Sequence, residues 1–192
     1  MPQDKPRRGP KVPRLTAASL ENAAVHYLER FSASTHNLRR VLNNRVLRAR
    51  RRGGEVPPDI DATIEMVIAK LARLKLVDDT AFAAQRSLSL RRRGGSARQI
   101  RGKLRMAGID AEGIDQAVET ADAEFADGGD GAGELRAALR LAERRRLGPY
   151  RLKERREYRE RDLAALARAG FSLDTARRVI EAASAEALLE DD

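Results

Sequence analysis

The chain has 192 residues and carries 38 Lys and Arg against 29 Asp and Glu, a formal charge of +9 with 35% of its residues charged. It contains no cysteine, which excludes disulfides, thiolate metal sites and thiol catalysis. A positive surplus of this size points to nucleic acid, an acidic protein surface or an anionic membrane as partner and carries no information about fold.

No stretch approaches the ~20 apolar residues of a membrane-spanning helix, and the basic segment from Lys5 to Arg14 lacks the apolar run of a secretory signal. The expectation is a cytoplasmic protein without a membrane partner. Ala, Leu and Arg dominate, tryptophan is absent, and that composition favours helices around a modest aliphatic core.

Residues 1–14 place Pro2, Pro6, Pro10 and Pro13 among Lys5, Arg7, Arg8 and Lys11. Such a segment cannot bury enough apolar surface to offset its ordering entropy, so a disordered basic arm is expected. A first module is expected over 15–77. Its first helix starts near Thr16 or Ser19 and carries Leu20, Ala23, Ala24, Tyr27, Leu28 and Phe31 as an apolar stripe. Ser32 to Thr35 supply turn and cap chemistry for a second helix with Leu38, Val41, Leu42, Val46 and Leu47 on one side and arginines on the rest. Gly53-Gly54 and Pro57-Pro58 break it, and Asp59 or Asp61 opens a third helix through Ile64, Val67, Ile68, Leu71 and Leu74.

A second module is expected over 78–126. Asp78-Asp79 open a fourth helix with Phe82, Ala83, Leu88 and Leu90, and Ser96 opens a fifth with Ile100, Leu104 and Ala107 facing inward. Gly108 ends that helix as a C′ glycine, and Asp110 caps a sixth with Ile114, Ala117, Val118 and Ala121. A glycine-rich joint is expected over 127–133, within which Gly128 to Gly133 reads GGDGAG. The third module, 134–185, holds a seventh helix through Leu135, Leu139 and Ala142 to the stop at Gly148-Pro149. An eighth with Leu163 and Leu166 ends at Gly170, and a ninth with Ala176, Val179 and Ile180 is capped by Ser172 or Asp174. Residues 186–192 read as an acidic tail.

The modules repeat one another. Leu104-x-x-Ala107-Gly108-Ile109 matches Leu166-x-x-Ala169-Gly170-Phe171, and each unit spans roughly 50 residues, within the range of known repeat periods. No strand-type alternation is present. The expected fold is all-α: an array of three tandem three-helix repeat modules.

A catalytic set is not found. His26 and His36 are the only histidines; they sit on different expected helices without a metal-ligand motif, His26 near a packed face and His36 at a helix start. Glu134 follows the glycine-rich joint where a phosphate-binding lysine would be required. The carboxylates of the acidic run from Asp110 to Glu134 fall at every helical phase and read as exposed. No enzyme activity, cofactor or metal is expected.

The signal lies in binding. Arg86, Arg91, Arg92, Arg93, Arg98, Arg101, Lys103 and Arg105 follow one another with no acidic residue among them. Arg98, Arg101 and Arg105 form one stripe at i, i+3 and i+7, and guanidinium groups hold phosphates and carboxylates bidentately. All eight are candidate contacts to an anionic partner. Aromatic residues are too few to favour a base-stacking platform.

The stretch LVDDTAFAAQRSLSLRRRGGSARQIRGKLRMAGI resembles the central module of the RecX family, regulators of the RecA recombinase. The residues that carry the resemblance are Leu76, Asp78, Asp79, Phe82, Ala83, Arg91, Gly95, Ile100, Arg101, Leu104 and Gly108, and Arg161 to Phe171 resembles the closing module. The resemblance implies an elongated, curved array of the three modules that binds the RecA–DNA filament along its groove and inhibits its ATP hydrolysis and strand exchange, limiting recombination and the SOS response; a monomer is the simplest expectation for such a repeat array. It also implies sequence-nonspecific binding of single- and double-stranded DNA. The long Arg52-to-Pro58 loop, the basic arm and the acidic tail depart from the pattern. Two other readings stay open: an independent helix-turn-helix DNA-binding protein using the fourth and fifth helices across Gly94-Gly95, and an arginine-rich scaffold for acidic partners.

Overall fold

The computed structural model describes residues 15–126 and 132–190. The basic arm, residues 127–131 of the glycine-rich joint and the last two residues of the acidic tail lie outside them. Every described element is helical, and the chain divides into two compact units, one ending at Asp78 and the other beginning at Asp79.

The first unit contains α1 (Ala17–Leu28), α2 (Thr35–Arg51) and α3 (Ile60–Arg73). Thr16 and Ser19 form a reciprocal capping box that starts α1, which satisfies two amide donors the first turn leaves free. Ser34 accepts from the Asn37 amide at 3.1 Å and starts α2. Leu20, Leu38, Leu42, Ile64 and Leu71 are buried together, and Leu15 and Val77 close the core at its ends. Two expectations are corrected. Helix α1 stops at Leu28, so Phe31 lies past it and half its surface is exposed. His26 faces solvent beside Glu29, with Nδ1 3.3 Å from the carboxylate, because the buried stripe runs through Leu20 and Ala24.

The second unit contains α4 (Asp79–Arg92), α5 (Ala97–Met106), α6 (Ala111–Ala126), α7 (Ala132–Arg145), α8 (Arg159–Arg168), α9 (Leu173–Glu181) and α10 (Ala185–Glu190), with a 3₁₀ turn at Gly148–Tyr150. Two cores fill it, one around Ile100, Leu104, Ile114 and Val118, the other around Leu139, Leu166, Val179 and Ile180. Gly133 is not part of a joint but lies within α7, packed against the Asp122 backbone where a Cβ would approach to 3.0 Å. Residues Ala185 to Glu190, expected to divide between the third module and an acidic tail, are the short helix α10, whose Leu188 packs on the α7–α9 core.

The internal repeat reappears as backbone geometry. At the end of α5, Gly108 has φ +77° and the Ile109 amide reaches back to the Leu104 carbonyl at 3.1 Å. At the end of α8, Gly170 has φ +95° and the Phe171 amide reaches back to the Leu166 carbonyl at 3.2 Å. Both are the six-to-one closure of a helix that ends on a left-handed residue and folds an apolar side chain back over its last turn.

Candidate nucleic-acid interface

The candidate site is built where the α4–α5 turn meets α7 and α8. Helix α4 buries Ala83, Ser87, Leu90 and Arg91. Arg91 is fully buried. Its guanidinium donates to Asp122 on α6, to Glu134 on α7 and, from Nη1 at 2.9 Å, to the carbonyl of Gly95. Arginine alone among the cations supplies this planar set of donors. Arg91 therefore does not belong to the contact surface on which its neighbours place it. Asp122 and Glu134 likewise leave the exposed acidic run and act as its counter-ions.

The same junction seals the start of α5. Ser96 caps the helix by accepting from the Gln99 amide at 3.2 Å and donates its hydroxyl to the Ala169 carbonyl at 2.7 Å. Glu134 accepts from the Ala97 amide at 3.0 Å, placing a carboxylate at the positive end of the helix dipole. Gly94, with φ +77°, lies so close to α7 that a Cβ would stand 2.8 Å from the Leu141 amide nitrogen. The leading end of α5, which a helix-turn-helix protein would insert into a groove, is thus covered by its own chain.

Beside this seal opens a cleft of about 370 Å³ bounded by α4, α5, α7 and α8. Arg86, Arg93, Lys103, Arg144, Arg145 and Arg168 line it, with no acidic residue in the lining. None of the six forms an ion pair among the described residues. Leu90, Leu141 and the turn glycines form part of the wall. Like charges converging on a concave, partly apolar surface focus the field outward and attract an anionic chain. Guanidinium forks then hold phosphate oxygens in pairs.

The rim formed by the end of α7 is held from below. Asp162 is 1% exposed. It accepts from the Gly148 amide at 3.0 Å and from Arg151 at 2.7 and 3.0 Å. Burial pushes its carboxyl up, but the Arg151 and Gly148 hydrogen bonds outweigh that and hold it below the ordinary carboxylate value. The Arg151 guanidinium in turn stacks 4.3 Å from the centroid of the Tyr158 ring.

Of the sequence-derived residues, Arg86, Arg93 and Lys103 face the cleft. Arg92 is exposed but outside its lining. Arg98 and Arg105 are exposed on the opposite flank of α5, and Arg101 pairs there with Asp115 at 3.0 Å. Successive steps of roughly 100° around the helix separate this stripe from Gln99 and Lys103. Sequence reasoning missed Arg144, Arg145 and Arg168 as members of the site, because only the packing of α7 and α8 on α4 and α5 brings them there.

Fold and site define an all-helical protein carrying a cationic cleft whose charges have no ion-pair partner among the described residues. No protein-family model matches the chain. It is 43% identical over 183 residues, 94% of both chains, to the regulatory protein RecX of Myxococcus xanthus (strain DK1622). It is 30% identical over 168 residues to the RecX of Agrobacterium fabrum (strain C58), covering 86% of this chain and 84% of that one. The chain belongs to the RecX family of regulatory proteins. Its fold is that of two crystal structures, a regulatory protein RecX with TM-score 0.62 and 22% identity over 86% of this chain and 71% of the other, and RecX from Lactobacillus salivarius with TM-score 0.59 and 21% identity over 86% and 94%. Among the described residues no helix is long and apolar enough to cross a membrane.

Proposed function

We propose that this chain is a non-enzymatic regulator of the RecA recombinase, acting in the cytoplasm as a monomer. It binds the RecA–DNA filament along its groove and suppresses ATP hydrolysis and strand exchange, which limits recombination and SOS induction. The observation that carries the reading is the cleft in which Arg86, Arg93, Lys103, Arg144, Arg145 and Arg168 converge with no counter-ion among the described residues. Membership of the RecX family directs that cleft to a filament containing DNA.

The contacts are made by the six cleft cations, with Arg92 and, on the other flank of α5, Arg98 and Arg105 as exposed auxiliary charges. Single- and double-stranded DNA are bound through phosphates, so sequence preference is absent and affinity falls steeply with salt. The covered start of α5 opposes the helix-turn-helix alternative, which needs that end free to enter a major groove. Titrating the protein into a RecA filament during DNA-dependent ATP hydrolysis tests the function. Hydrolysis is expected to fall with added protein; unchanged hydrolysis together with tight binding to one particular duplex sequence would overturn it.

A further inference from the structure

The first unit carries a second, chemically different groove, between α1 and α2, of about 370 Å³. The chain has only four Phe and three Tyr, yet Tyr27 and Phe31 both line this groove with ring centroids 5.0 Å apart and planes tilted by 34°. Phe31 is 50% exposed although it is among the largest apolar side chains present. Its backbone is fixed, since the Phe31 amide donates to the Tyr27 carbonyl at 3.0 Å. The ring is therefore held open to solvent beside a second aromatic ring.

Cations surround the pair. The Arg30 guanidinium stands 5.6 Å from the Phe31 ring centroid. Arg45 and Arg48 line the groove from α2 and form no ion pair among the described residues. No acidic residue is part of the lining. An exposed aromatic face flanked by guanidinium groups matches an unpaired base and the phosphates on either side of it: every base has a π-face, and arginine serves both the phosphate and the ring. A duplex offers no free base face, because its bases are already stacked. Charge complementarity likewise separates this ligand from an apolar peptide, which gains nothing from Arg45 and Arg48.

We propose that the α1–α2 groove is a base-stacking site for single-stranded nucleic acid, in which Phe31 and Tyr27 receive an unpaired base while Arg30, Arg45 and Arg48 hold the adjoining phosphates. The scarcity of aromatic residues argues against such a platform along the sequence as a whole, but the fold gathers two of them at one place. The site lies in a different unit from the cationic cleft and does not depend on the RecA reading.

The test uses the full chain, without RecA, and the fluorescence anisotropy of a labelled oligothymidylate, of an abasic strand of the same length and charge, and of a duplex. The expected result is that the wild type binds the oligothymidylate about tenfold more tightly than the abasic strand. Phe31→Ala and Phe31→Leu are each expected to reduce that ratio to about one while leaving the abasic affinity unchanged, and Phe31→Tyr to restore it. Phe31 lies outside the core, so thermal unfolding of the variants is expected to match the wild type. Equal wild-type affinity for thymidylate and abasic strands would overturn the proposal. So would an unchanged ratio in both Phe31→Ala and Phe31→Leu, the outcome if a protein segment fills the groove, or an equal loss on both strands.

Discussion

Arg91 and Glu134 form an ion pair between the α4–α6 and α7–α9 helix triplets, and Arg91 is fully buried in making it. With Asp122 and the Gly95 carbonyl as further acceptors, this one side chain ties α4, α6 and α7 to the glycine turn that forms part of the wall of the cationic cleft. Arg91 thus braces the turn behind the cleft without lining it.

Replacing Arg91 by Ala strips two partly exposed carboxylates of their shared buried partner. Breaking a buried pair costs roughly 3–5 kcal/mol, and the low end, about 3, applies here because Asp122 and Glu134 keep part of their solvent contact. The midpoint of urea unfolding is expected to fall accordingly. Arg91→Lys retains the charge but not the fork, so an intermediate midpoint is expected.

Gly94 and Gly53 share a left-handed backbone, with φ +77° and +71°, but differ in surroundings. A Cβ on Gly53 meets nothing within 4 Å, whereas one on Gly94 meets the α7 backbone. Gly53→Ala is expected to cost about 1 kcal/mol, the left-handed penalty alone. Gly94→Ala carries that penalty plus displacement of α7, and thermal unfolding is expected to show the larger loss for it.

The Asp162–Arg151 pair makes a pH-dependent contribution. The folded carboxyl lies below its ordinary value of 3.8. Its stabilisation is therefore fully present above that value and is lost as pH falls through the lower folded value. The stability difference between wild type and Asp162→Asn is expected to be constant near neutral pH and to shrink below about pH 4. Chemical denaturation across that range measures it; a difference that grew on acidification would contradict the assignment.

Where structure is decided locally, the sequence was legible. Thr16, Ser34, Ser96 and Ser172 each cap the helix that follows, and Gly108 and Gly170 stop helices because φ is positive there. The site was legible only in part. Within Arg91-Arg92-Arg93 the three side chains look alike, and only the helical phase set by Ala83 and Ser87, eight and four residues earlier, marks Arg91 as the inward one. Arg144, Arg145 and Arg168 stand dozens of residues from Arg86 and Arg93, so no local pattern joins them. The half-exposed Phe31 was hidden in the same way: its spacing continues the α1 stripe, but the helix ends before it.

DNA affinity should report the cleft through its salt dependence. Each cation that neutralises a phosphate contributes roughly one to the slope of log affinity against log salt. Arg93→Ala and Arg145→Ala are each expected to flatten the slope by about that amount. Arg39→Ala, whose side chain pairs with Glu65, is expected to leave it unchanged. Anisotropy titrations at several salt concentrations distinguish the two cases.

The most direct measurement compares RecA-filament ATP hydrolysis under titration with the wild type, with an Arg93→Glu/Arg144→Glu/Arg168→Glu cleft variant, and with an Arg98→Glu/Arg105→Glu variant of the opposite α5 flank. All five positions are exposed, so the variants are expected to fold as the wild type does. Suppression is expected from the wild type, with its loss in the cleft variant and only modest weakening in the flank variant. Full suppression by the cleft variant, with loss confined to the flank variant, would contradict that expectation.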